Sequence, residues 1–88
     1  MKKKELKRIE KLYLDARSGP WKSYIEGRDH TSGSDFIMIG EGEGRGDDIE
    51  LLGATKADQD FIASARQDIP ELVAEVKRLK AKLKKKGP

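Results

Sequence analysis

The chain has 88 residues, of which 40% are charged and none is cysteine, and its formal net charge is +3. A chain this short predicts one domain (1–88) that is marginal on its own, and the lack of cysteine excludes disulfides and thiolate metal sites. No apolar run reaches the roughly 18 residues of a membrane span, and the amphipathic N-terminus does not resemble a signal segment, so a cytoplasmic protein of a bacterial host is expected.

The first predicted element is a helix over residues 2–17. The apolar residues of one face recur at spacings of three and four: Leu6, Ile9, Tyr13 and Ala16. That spacing is typical of an amphipathic helix. The Ser-Gly-Pro sequence at 18–20 ends the helix, because glycine accepts the left-handed cap conformation and proline cannot continue the helix.

The central part, residues 18–53, predicts a three-stranded antiparallel meander. The aromatic and β-branched segments expected to form strands are 21–26, 36–39 and 48–52. The polar segment 27–35 and the glycine-rich segment 40–47 are the predicted connecting loops.

The C-terminal part, residues 54–86, predicts two helices. Thr55 is a candidate N-cap, with Asp58 completing a capping-box pattern. The Asp-Ile-Pro-Glu sequence at 68–71 predicts the start of the second helix, since proline is favoured in a first turn. Within that helix a coiled-coil type of seam steps by four, three and four: Leu72, Val76, Leu79 and Leu83.

The predicted fold class is therefore α+β, with an N-terminal helix, a three-stranded β-meander and two C-terminal helices. The apolar seams of the helices are longer than a three-stranded sheet can cover. This excess of unsatisfied apolar surface predicts a homo-oligomer.

Catalysis is poorly supported. The chain has a single histidine, His30, next to Asp29, and adjacent residues of one loop do not easily converge into a catalytic triad with an oxyanion hole. The glycine-rich segment 40–47 fails both the dinucleotide fingerprint and the P-loop pattern. A metal site of His30, Asp29 and Asp35 is conceivable, but carboxylates clustered on a turn are usually solvated. The expectation is a protein that is not an enzyme, with no cofactor and no metal.

The segment 21–34 carries the side chains that a nucleotide site requires. Bases stack on aromatic or guanidinium planes, and phosphates accept hydrogen bonds from arginine, hydroxyls and loop amides. The candidate ligand-binding residues, including two arginines further along the chain, are Trp21, Tyr24, Arg28, His30, Thr31, Ser32, Arg45 and Arg66. The alternative interpretation is that Trp21 and Tyr24 belong to the core and that Arg28 pairs with Asp29 on the surface.

A motif string is spread over residues 19–79. It consists of Gly-Pro-Trp, then Glu-Gly-Arg-Asp-His, then Phe-Ile, then Asp-Phe-Ile-Ala-Ser-Ala-Arg-Gln-Asp-Ile-Pro-Glu-Leu-Val-Ala-Glu-Val. The string resembles a set of small bacterial and phage proteins. In size and layout the chain is also similar to the phage anti-CBASS sponge proteins, compact homo-oligomers that sequester cyclic nucleotide immune signals without cleaving them. That resemblance implies a cyclic dinucleotide as the ligand, but it assigns no individual contact residue.

Two other functions stay open at the level of the sequence. The helical seams fit a protein–protein interaction module, such as a phage inhibitor or an accessory subunit. The basic ends fit a nucleic-acid binder, since residues 1–17 and 71–88 each carry seven bases, while 18–70 carry five bases and eleven acids. Lysines on exposed helix faces usually serve solubility, so nucleic acid is the less expected partner.

Overall fold

The computed structural model describes residues 1–86. Helix α1 spans Lys3–Asp15, strand β1 Trp21–Tyr24, strand β2 Phe36–Ile39, a single 3-10 turn Gly42–Gly44, and helix α2 Lys56–Lys86. The molecule is elongated, with extents of 60 × 27 × 19 Å, because the 31 residues of α2 run well past the small sheet.

Helix α1 confirms the first predicted element, ending within two residues of the expected bounds. Its Leu6 is buried, and it runs antiparallel to α2. Two contacts fix that direction: Lys77 pairs with Glu10 at 2.6 Å, and Arg66 Nε donates to the Arg17 carbonyl at 2.9 Å. The two basic ends of the chain therefore lie at the same end of the molecule.

The α+β class is compatible with the structure, but the three-stranded meander is wrong. Strands β1 and β2 form a two-stranded antiparallel sheet, with Trp21 opposite Ile39 and Tyr24 opposite Phe36. The predicted third strand at 48–52 is reduced to one bridge, in which Ile49 exchanges backbone hydrogen bonds of 2.8 and 2.9 Å with Ile37.

The side chains around Ile49 explain why the third strand does not extend. Ile49 and Leu51 pack against the core, but Leu52 is wholly exposed. On the other side, Asp48 accepts a hydrogen bond from Arg45 at 3.1 Å, which turns this residue back into its own loop. In this segment only Ile49 and Leu51 bury apolar surface against the core. The segment therefore pairs with the sheet edge at one bridge and does not extend into a longer strand.

The start of α2 confirms the predicted capping box. Asp58 N–H donates to Thr55 Oγ1 and Thr55 N–H donates to Asp58 Oδ2, both at 3.0 Å. These two bonds satisfy backbone donors that would otherwise be unpaired at a helix N-terminus.

The predicted break between two C-terminal helices is wrong, since α2 continues through Pro70. Proline removes the donor for the carbonyl of Arg66, which normally weakens a helix. Helix α1 packs along α2 on both sides of this position, through Arg66 before it and Lys77 after it. Packing across the proline therefore outweighs the loss of one backbone hydrogen bond.

The core lies where α2 crosses the sheet. It consists of Ile37, Ile39 and Ala63, with Trp21, Ile49 and Leu51 packed against it. One polar side chain, Gln59, is also buried, at 3% exposure. Its amide nitrogen lies 2.9–3.2 Å from Ser23 Oγ and from the carbonyls of Tyr24 and Phe36, so helix and sheet are joined by hydrogen bonds as well as by packing.

Candidate functional site

An open groove of about 450 Å³ lies between β1, the loop after it and α2. Three of the predicted ligand-binding residues line it: Trp21, Tyr24 and Arg28. The other polar residues at its wall include Lys22, Asp29 and Asp60. The structure therefore brings together part of the predicted nucleotide site.

Arg28 in this groove is held by two carboxylates. Its guanidinium makes a two-point contact with Asp60 (Nη1–Oδ2 2.8 Å, Nη2–Oδ1 3.0 Å), and its Nη2 lies 2.9 Å from Asp29 Oδ2. The hydrogen bonds from Arg28 lower the pKa of Asp60 to about 2 and lower that of Asp29 as well. The same bonds raise the pKa of Arg28. One cation facing two carboxylates gives Arg28 and its partners together a net negative charge.

The second cation at the groove is also paired. Lys22 Nζ lies 3.0 Å from Glu41 Oε1, and this hydrogen bond raises the pKa of the lysine. A phosphate entering the groove would therefore have to displace a carboxylate from Arg28 or Lys22. The geometry favours the interpretation in which Arg28 forms a surface ion pair.

His30 organises the loop that precedes β2. Its ring packs edge-on against Phe36, with centroids 5.0 Å apart, and Phe36 in turn stacks on Tyr24 at 5.4 Å. The backbone N–H of Ser32 donates to His30 Nδ1 at 3.1 Å. In the neutral ring the proton then belongs on Nε2, which is buried and has no acceptor among residues 1–86.

The remaining predicted residues do not line this groove. Thr31 and Ser32 are exposed in the His30 loop. Arg45 contacts Asp48, and Arg66 binds the end of α1 with its guanidinium 6.0 Å from the Tyr13 ring. The eight candidate residues are therefore divided among at least three places in the molecule.

Sequence reasoning missed Asp60, the carboxylate that occupies Arg28. The only signals were the excess of acids in the middle of the chain and the position of Asp60 at the start of the last segment of the motif string. No spacing rule joins a loop residue to a helix residue 32 positions later. That contact depends on the way α2 crosses the sheet.

A long apolar stripe, which no other part of the described chain covers completely, lies on the surface of α2. Residues at alternating spacings of three and four form one continuous stripe, here called the α2 seam: Ile62, Ala65, Ile69, Leu72, Val76, Leu79 and Leu83. Three of its leucines are largely exposed, Leu72 at 60%, Leu79 at 46% and Leu83 at 71%. A shallow apolar groove of about 340 Å³ between α1 and the first half of the seam adds Leu12, which is also exposed.

A basic cleft of about 470 Å³ lies at the far end of the two helices. Lysines from both helices surround Leu6 and Ala81: Lys3, Lys7, Lys80 and Lys84. The antiparallel packing of α1 on α2 creates this cleft by joining the two basic ends of the sequence.

Within the described residues, no three histidine or acidic side chains cluster as a metal site would require. No helix in that part of the chain is both long and apolar enough to cross a membrane. Comparison of the chain with protein-family models, with curated proteins and with solved structures gives no match.

Proposed function

We propose that this chain is a non-catalytic protein-interaction module that associates with a second copy of itself through the α2 seam. The observation that carries the proposal is a stripe of seven apolar residues at coiled-coil spacing on a single helix, of which five are exposed and two, Ala65 and Val76, are half-buried. It acts in the cytoplasm of a bacterial host, where a chain without cysteine needs no oxidising compartment.

Energetics support this role for the seam. Burying a leucine side chain contributes about 1.5–3 kcal/mol. Burying Leu72, Leu79 and Leu83 in an interface would therefore stabilise the associated state substantially. A contiguous exposed apolar patch is unusual on a monomeric protein and typically marks an interaction site. The sheet cannot supply the missing cover, because it packs against the opposite side of α2, at Gln59 and Ala63.

The experiment compares thermal unfolding over a hundredfold range of protein concentration. Association stabilises the folded state by mass action, so the melting temperature of the natural chain should rise with concentration. The variant Leu72→Ser should lose most of that dependence. Leu14→Ser is the matched control, because Leu14 is exposed on α1 outside the groove that α1 forms with the seam, and it should leave the dependence unchanged. A melting temperature independent of concentration in the natural chain would contradict the proposal.

A cyclic dinucleotide sponge is the second candidate function. One observation favours it: Trp21 lines the β1 groove, and its indole N–H is buried without an acceptor among the described residues. A base edge or a phosphate oxygen beside the indole ring would supply an acceptor after a small movement of the ring. Against it stands the pairing of both cations of the groove, Arg28 and Lys22, with carboxylates.

That conflict makes the sponge testable. If Arg28 binds phosphate, Asp60 competes with the ligand, so Asp60→Asn should increase the thermal shift that cyclic dinucleotides produce. Arg28→Gln should abolish the shift. A screen with cyclic di- and trinucleotides that gives no shift in any of the three proteins would exclude this function. A shift with short duplex DNA that falls steeply with salt would instead indicate phosphate binding at the basic cleft.

A further inference from the structure

Helix α2 is divided into two halves of opposite charge. Residues 56–75 carry five acids and two bases, whereas residues 76–86 carry seven bases and no acid. The α2 seam crosses the boundary without interruption, so both halves take part in any contact along it.

We infer that the second copy lies antiparallel on the α2 seam. The inference rests on the proposed self-association and adds its direction and register. In a parallel pair the seven bases of each helix would lie side by side, and like charges a few ångströms apart repel each other even in salt. In an antiparallel pair the basic half of each helix faces the acidic half of the other, so the charge favours association.

Two antiparallel registers bury six of the seven seam residues. The one with Ile69 opposite Leu72 would set Asp68 beside Glu75 of the second copy, two like charges, so the other register is favoured. With Val76 opposite Leu72 of the second copy, Ile69 falls opposite Leu79 and Ala65 opposite Leu83. Each β-branched or small residue then meets a leucine, which fills the layers of a two-stranded packing evenly. Six apolar layers form, centred between residues 72 and 76.

Flanking charges agree with this register. Helix α1 covers one flank of the seam, where Val73 is buried and Arg66 binds the Arg17 carbonyl. On the other flank, the register sets Asp68 opposite Lys82 of the second copy, twice per dimer. Glu75 meets its own copy at the centre, where Arg78 of the same helix pairs with it and neutralises its charge.

The second copy would also cover the apolar groove between α1 and the seam. Leu12 of α1 is exposed and borders the seam in the α1–α2 groove. Helix α1 lies along α2 from Arg66, past Lys77, to the basic cleft at Lys84, and this span contains the centre of the proposed register. The two α1 helices would therefore lie side by side over the dimer centre, giving a bundle of four helices that covers Leu12.

Disulfide trapping tests the direction, because the chain has no cysteine of its own. Ile69→Cys and Leu79→Cys are prepared as separate proteins, one with a tag so that the disulfide products separate by mass. In the antiparallel register residue 69 meets residue 79, within the 4.4–6.8 Å Cα separation of a disulfide. Each cysteine then lies about 15 Å along the axis from its own copy, so self-linking is disfavoured.

The expected result is that the mixed sample forms roughly tenfold more crosslinked dimer than either variant alone, given the steep geometric limits on the bond. Efficient self-linking of each variant, with little mixed product, would show a parallel pair and overturn the inference. A dimer that links in neither experiment would overturn the register. The molecular mass of each reduced variant in solution is measured first. A monomer would contradict the proposed self-association itself, whereas a dimer that does not crosslink would have another geometry.

A charge exchange provides a second readout that does not depend on cysteine. Asp68→Lys should weaken the dimer about tenfold, since two attractive pairs become repulsive. Adding Lys82→Asp should restore it. A double variant no tighter than the single one would contradict the pairing of these two residues.

Discussion

Gln67 caps the free backbone of Trp21 at the edge of β1. Its Oε1 accepts the Trp21 N–H at 2.7 Å, and its Nε2 donates to the Trp21 carbonyl at 3.2 Å. Gln59, two turns earlier on the same helix, bonds to the other end of the strand. Because these two amides fix which side of α2 meets the sheet, they also fix which side is left for a partner.

Replacing Gln59 by leucine should destabilise the fold by about 1–3 kcal/mol, because the carbonyls of Tyr24 and Phe36 lose a buried donor. Urea unfolding followed by circular dichroism measures the change. Ser64→Ala, at an exposed position of the same helix, is the control and should stay within about 0.5 kcal/mol of the natural chain. Equal stability of the Gln59 variant would mean that these bonds contribute nothing.

The ion pair of Arg28 and Asp60 should make stability depend on pH at the acid end. The pKa of Asp60 falls from its ordinary value of 3.8 to about 2 in the folded chain. A carboxyl whose pKa is lowered on folding stabilises the fold at a pH above its pKa in the unfolded chain. That stabilisation is lost as the pH falls toward its pKa in the folded chain. The melting temperature should therefore drop between about pH 4 and pH 2, the interval between these two pKa values.

Asp60→Asn is the variant that isolates this effect. It should be less stable than the natural chain at pH 7 and should approach it as the pH falls through 2, where the natural carboxylate takes up its proton. Melting curves recorded at intervals of pH give the comparison. A constant difference between the two proteins at every pH would contradict the role of Asp60.

Two glycines with positive φ should respond differently to alanine. Gly40 has φ +74, and a Cβ there would lie 2.3 Å from the Gly44 carbonyl oxygen, which is backbone and cannot easily move. Gly27 has φ +83 but open space around it, so its alanine variant should cost only the conformational strain of about 1–2 kcal/mol. Gly40→Ala should cost clearly more than that in the same urea experiment, and equal losses would show that the turn relaxes.

Local signals in the sequence were sufficient for several elements. The spacing of Leu6, Ile9 and Tyr13 predicts α1, and the Thr55–Asp58 pair predicts the start of α2, because these structures depend on residues within one or two turns. The strand at 36–39 was predicted correctly for a similar reason, since its apolar run is short and bounded by turn residues.

The errors arose where distant contacts outweigh local preference. The sequence around Pro70 predicts a helix start, but α1 packs across the proline and makes one helix. The spacing of the seam indicates the continuous helix, because Ala65, Ile69 and Leu72 keep helical spacing across Pro70. In the same way, Asp60 reaches Arg28 only because α2 crosses the sheet, so the binding site predicted around residues 21–34 did not include the carboxylate that pairs with Arg28.

Solution mass across a concentration series tests the self-association through the α2 seam most directly. Sedimentation equilibrium of the natural chain should give twice the 9.9 kDa chain mass at high concentration, falling toward one chain mass on dilution. The variant Leu72→Glu should remain at one chain mass throughout, because a charge buried in the seam is strongly unfavourable. A natural chain that stays at 9.9 kDa at every concentration, or a Leu72→Glu variant that still doubles, would contradict the account.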